Sequence, residues 1–111
     1  MRIVEERFLD MLEAIQRIDK YAGRGRQAFA LDELIQTYIV QNLQILGEAA
    51  AKIPVDQQRD YPELPWPKMV GMRNILVHNY FNIDLDIVWQ VVETGLPTLQ
   101  KKVNPYCWES A

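Results

Sequence analysis

The chain holds one cysteine, Cys107, and one histidine, His78, in 111 residues. A lone cysteine excludes an intramolecular disulfide and any multi-cysteine metal site. A lone histidine cannot assemble the three protein ligands of a catalytic zinc, so no metal or other cofactor is expected. No apolar run approaches the ~18 residues of a membrane-spanning helix. The opening residues, Met1-Arg2-Ile3-Val4-Glu5-Glu6-Arg7, place acids where a signal peptide needs an apolar segment, so a cytoplasmic location is expected. There is no basic excess either: 12 Lys and Arg stand against 15 Asp and Glu, a net charge of -3. That argues against a protein coating nucleic acid over its whole surface. Local basic groups remain at Arg24 and Arg26, at Lys68, and at Lys101 and Lys102, and a brief contact with RNA needs no more than such patches. Gly23 and Gly25 form no phosphate loop, because no strand precedes them and no Gly-Lys-Ser/Thr follows.

What is present is helical patterning, in a length that suits one domain over residues 1–111. Val4, Phe8, Met11, Leu12, Ile15, Ile18 and Ala22 recur at steps of three and four and predict a first helix from about Arg2 to Ala22, stopped at Gly23. A second helix is expected from about Leu31 to Ile53, with Asp32 and Glu33 in its first turn. Its apolar face includes Leu31, Leu34, Ile35 and Ile39, and Asn42 interrupts it. Its Gly47-Glu48-Ala49-Ala50-Ala51 run is small enough to let another helix come close. Pro54, Pro62, Pro65 and Pro67 make residues 54–67 a stiff connector without helix interior or strand. A third helix is expected from about Pro67 to His78, and a fourth begins after a cap at Asn82 or Asp84. Gly95 and Pro97 predict a bend in that last helix before it resumes through Leu99 to Val103. The fold class is therefore all-α, an antiparallel bundle of four to five helices.

The chemistry concentrates in Met72-Arg73-Asn74-Ile75-Leu76-Val77-His78-Asn79-Tyr80. Ile75, Leu76 and Val77 are expected to hold this segment against the core. His78 can exchange protons near neutral pH and is a candidate general acid or base, although a lone histidine also serves as a cap or core group. Arg73 carries a forked, permanently charged guanidinium that matches a phosphate, or pairs on the surface with an acid such as Glu48. Five residues apart, Arg73 and His78 are separated by about 140° on an ideal helix, so they converge only near a helix end or at the rim of a cleft. Tyr80 offers a hydroxyl and a stacking ring, or a core aromatic. Asn74 can orient Arg73 or bind phosphate, or satisfy a backbone group. Glu48 is either a supporting partner for Arg73 or a solvated helix charge.

Arg73-x4-His78-x-Tyr80 resembles the Arg-x4-His-x-Tyr signature of HepT proteins in the HEPN superfamily. Leu46-Gly47-Glu48-Ala49-Ala50 resembles the family's Gly-Glu-Ala segment. Pro65-Trp66, followed by Gly71-Met72-Arg73-Asn74, resembles its Pro-Trp and Gly-Met-Arg-Asn segments. Asp86-Ile87-Val88-Trp89 and Leu96-Pro97-Thr98-Leu99 match the pattern beyond the motif, so the resemblance covers almost the whole chain.

The resemblance implies an HEPN-like, dimerising helical toxin that is a metal-independent endoribonuclease. It implies RNA as substrate, transfer or messenger RNA alike, with Arg73 and His78 catalytic and Asn74 and Glu48 supporting. DNA is not expected to be cut, because the attacking group would be the 2′-hydroxyl. The implied partners are a second copy and an MNT-type nucleotidyltransferase antitoxin, which would inactivate the toxin by transferring AMP to Tyr80. The alternative is a non-catalytic helical subunit that binds or regulates a nucleotidyltransferase.

Overall fold

The computed structural model describes residues 4–78 and 82–106, with the backbone alone for His78. Helix α1 spans Val4–Ala22 and buries Phe8, Met11, Leu12, Ile15 and Ile18 on the stripe that the periodicity marks. It stops where expected: the amides of Gly23, Arg24 and Gly25 turn back onto the carbonyls of Asp19, Tyr21 and Ala22. Gly25 then takes a φ of 97°, a left-handed conformation in which a Cβ would be strained.

The second helical stretch differs from the sequence reading. A short helix, α2 (Arg26–Leu31), precedes α3 (Glu33–Ala51), and the chain breaks between them at Asp32. Asp32 is the N-cap of α3, not a first-turn residue. Its backbone is extended and its side chain accepts from the amides of Leu34 and Ile35 at 2.9 and 3.4 Å. The break turns the flanking residues outward, so Leu31 and Leu34 are 78% and 81% exposed instead of joining the apolar face. From Ile35 onward the face is buried as expected. Asn42 does interrupt it: the residue is buried, and its Nδ2 donates to the Tyr38 carbonyl at 2.9 Å.

The proline-rich connector contains one helical turn, α4 (Val55–Gln58), placed between Pro54 and Pro62 so that no proline lies inside it. Pro54 stands at its N-cap, where a missing amide costs nothing. Tyr61 fastens the connector to the core. Its ring meets Phe8 edge-on at 4.8 Å, and its carbonyl accepts from Trp66 Nε1 at 3.0 Å. That contact fixes the start of α5 (Trp66–His78), which carries the motif.

After the motif, Asp84 is the cap; its carboxylate accepts from the amides of Asp86 and Ile87. Helix α6 (Leu85–Gln90) runs through a π-helical turn at Val91–Gly95 into α7 (Leu96–Val103). The bend expected near Gly95 and Pro97 is thus a widened turn. Pro97 has no amide to offer and its ring crowds the carbonyl four residues back, while the Leu96 amide reaches to Val91. Helix α1 packs along α3, α3 along α5, and α7 back onto α1, so α3 lies between the first helix and the motif helix. No strand occurs among the described residues, in agreement with an all-α, HEPN-like bundle. None of their helices is long and apolar enough to cross a membrane.

Candidate functional site on the motif helix

Helix α5 is set by two contacts with α3, both on residues that the chain's own pattern explains. Gly47 leaves room for a neighbour. A Cβ built on it would overlap the Cβ of Arg73 and would lie 3.1 Å from both the Arg73 Cγ and the Met69 carbonyl oxygen. Three residues earlier, Gln44 donates from Nε2 to the Leu76 carbonyl at 3.3 Å. Residue 47 faces 73 while 44 faces 76, so the two helices run antiparallel.

The stem of Arg73 is held in this contact, and the residue is half-buried. Its Nη1 donates to Asn74 Oδ1 at 3.0 Å, and its Nε is buried without a partner. Among the described residues no carboxylate lies in ion-pairing range of it; the ion pairs there are Arg7–Asp10, Arg17–Glu13 and Arg26–Asp86. A guanidinium oriented by a side-chain amide, with no acid in range among the described residues, keeps its charge available to an incoming anion. The structure therefore brings Arg73 and Asn74 together.

It does not bring Glu48 to them. Each helical residue turns about 100° from the last. With Gly47 facing α5, Glu48 turns towards α1, where it lines a charged hollow of about 270 Å³ with Arg7, Asp10, Glu13, Arg17 and Lys52. The side chain of His78 and the whole of Tyr80 lie outside the described residues, and the α5 backbone carries His78 at its last described position. Among the described residues no group of His, Cys, Asp and Glu is placed to hold a metal ion.

The other side of α5 is apolar and open. Ile75 is 58% exposed and Val77 is also exposed; of the three residues expected to anchor the segment, only Leu76 is buried. Met72 and Ile75 face Ile83, Ile87, Val91 and Leu99 across a groove of about 650 Å³, and Ile87 on its far wall is 59% exposed. Within the apolar run, Leu76 joins the core, Ile75 lines the groove and Val77 faces outward. Gln44 and Gly47 are the site-forming residues that the motif alone does not reveal. The small-residue run around Gly47 announces a close helix contact, but nothing local in the sequence singles out Gln44.

The described residues form an antiparallel helical bundle whose motif helix carries Arg73 and His78. The family model described as "Ribonuclease HepT-like" matches residues 11–105, and the chain belongs to that family. A "Probable ribonuclease HepT" of Thermococcus cleftensis is 36% identical over 94 residues, covering 84% of this chain and 86% of that one. A protein of Methanocaldococcus jannaschii, provisionally named as an RNase, is 39% identical over 104 residues, covering 93% of this chain and 95% of its own. The "mRNA nuclease HepT" of Shewanella oneidensis is 30% identical over 126 aligned positions, covering 92% and 94%. No solved structure gives a significant match.

Proposed function

We propose that this chain is a metal-independent endoribonuclease toxin whose Arg73 and His78 cut RNA by internal attack. The observation that carries the reading is the Arg73 guanidinium, oriented by Asn74 and without an ion-pair partner among the described residues. The 2′-hydroxyl attacks the adjacent phosphorus and its proton passes to a base. The bond from phosphorus to the 5′-oxygen breaks, and an acid protonates that oxygen. The products are a 2′,3′-cyclic phosphate and a free 5′-hydroxyl. Arg73 steadies the charge on the phosphorane, and an aimed donor of this kind is worth about 3–4 kcal/mol in the transition state. His78 takes or delivers a proton.

The chain's one histidine cannot act as both acid and base at once, so the reading includes a homodimer in which two copies of α5 meet across a cleft. The open groove beside Met72, Ile75 and Ile87 supports it, since an exposed apolar face of this kind marks an interaction surface. A second copy would bury those isoleucines and gather two Arg73 and two His78 side chains.

Regulation follows the family resemblance. A nucleotidyltransferase antitoxin transfers AMP from ATP to Tyr80: the phenol oxygen bonds to the α-phosphorus and pyrophosphate leaves. The added phosphate charge and bulk would then repel RNA. Internal attack is tested with an oligonucleotide cleaved by the protein and its twin carrying a single 2′-deoxy sugar at the cut. The twin stays intact if the mechanism holds; cleavage of both overturns it.

A further inference from the structure

Resting on the nuclease reading, we infer that Gln44 and Gly47 of α3 are positioning residues that set Arg73 and His78 relative to one another. Gly47 does so by absence. Any side chain there would occupy the space of the Arg73 stem, so the glycine decides how deeply Arg73 seats and where its guanidinium emerges. Gln44 does so by donation. Leu76 lies in the last described turn of α5, two residues before His78. The Gln44 amide supplies a partner from a neighbouring helix, 3.3 Å from the Leu76 oxygen. That turn carries His78. One rigid helix, α3, therefore grips α5 at both functional ends, with the glycine at Arg73 and the amide two residues before His78. The two grips lie on one face of α3, so a shift of either is felt along the pair.

Neither residue touches the reacting atoms, and both act through the backbone and stem of α5. Small misplacements of catalytic groups cost far more in turnover than in substrate binding, on the order of 100-fold for 1 Å. The test uses the full chain with Gln44→Leu, which keeps size but removes the donor, Gln44→Glu, which keeps shape but offers only acceptors, and Gln44→Lys, which restores a donor. Cleavage of RNA is followed to separate kcat from KM, and amide hydrogen exchange is followed across residues 74–80.

The expected result is a fall in kcat of about 10- to 100-fold in Gln44→Leu and Gln44→Glu with KM nearly unchanged. Exchange should quicken at the end of α5 but not in α1, and Gln44→Lys should recover most of the kcat. Wild-type kcat and exchange in Gln44→Leu would overturn the assignment while leaving the nuclease intact. A loss of kcat matched by an equal fraction of unfolded protein would also overturn it. A wild type that does not cleave RNA, but whose α5 end loosens in Gln44→Leu, would sink the nuclease reading and uphold the grip itself.

Discussion

Gly47 of α3 and Arg73 of α5 stand so close that the glycine's missing Cβ would occupy the space of the arginine's own. Gly47→Ala gains about 1 kcal/mol of helix propensity. Against this stands a clash with the Arg73 stem and the Met69 carbonyl, neither of which is a loose side-chain tip. Overpacking of this kind costs typically ~1–3 kcal/mol. The expected outcome is a net loss of stability, read as a lower denaturant midpoint with an unchanged slope. An equal or higher midpoint would show that α5 shifts without cost.

Arg73 contributes charge and a fork, and the two separate by substitution. Arg73→Lys keeps the charge but gives up the planar donors. Arg73→Ala should lower kcat/KM by about 100- to 1,000-fold, the loss of one aimed donor, and Arg73→Lys should fall between it and wild type. Asn74→Ala frees the guanidinium that its Oδ1 now restrains, so its effect is smaller than that of Arg73→Ala. Steady-state cleavage with folded variants, verified by circular dichroism, checks the order.

The proposed dimer has a direct test in the groove beside α5. Burying one isoleucine is worth at least ~1.5 kcal/mol, and a symmetric interface contains each change twice. Ile75→Asp or Ile87→Asp should therefore weaken self-association by about 100-fold or more. Sedimentation velocity should find a wild-type dimer and monomeric variants whose cleavage is lost. A monomeric wild type that cleaves RNA would contradict the two-copy site.

A second clasp predicts pH dependence of stability. The Tyr106 hydroxyl donates to Glu63 Oε1, joining the proline-rich connector to the end of the described chain. This hydrogen bond holds the Glu63 carboxyl below its ordinary 4.5 and pushes the Tyr106 phenol above its ordinary 10.0. For Glu63 the stabilisation is present above the ordinary carboxylate value and is lost as pH falls through the lowered one. For Tyr106 it is present below the ordinary phenol value and is lost as pH rises through the raised one. Both groups are exposed, so the effect is small. The Tm difference between wild type and Glu63→Gln should be greatest near neutral pH and shrink well below pH 4.5. A difference that persists unchanged in acid would assign it to packing.

Much of this molecule is legible in its sequence because the signals are local. The period of α1, the stop at Gly23, the cap at Asp84 and the strain near Pro97 each depend on a few neighbouring residues. The motif is local too, which is why Arg73, Asn74 and His78 stand out without a structure. What failed depended on tertiary arrangement. Leu31 and Leu34 keep helical spacing with the α3 face, yet the break at Asp32 turns them to solvent. Ile75 and Val77 look like core residues in sequence but line an open groove or face outward, because α5 has neighbours on only part of its circumference. Glu48 sits beside Gly47 in sequence, but the helical turn sends it towards α1. Gln44 is read as a positioning residue only once α5 is laid against α3.

The central claim is that the motif of α5 cuts RNA without a metal. Its most direct test is cleavage of total RNA by the purified chain in excess EDTA, with Arg73→Ala and His78→Ala beside it and mass spectrometry verifying an unmodified Tyr80. The wild type should cleave, and each folded variant should cleave at least about 100-fold more slowly. An unmodified wild type that leaves RNA intact, or variants that both cleave as fast as wild type, would contradict it.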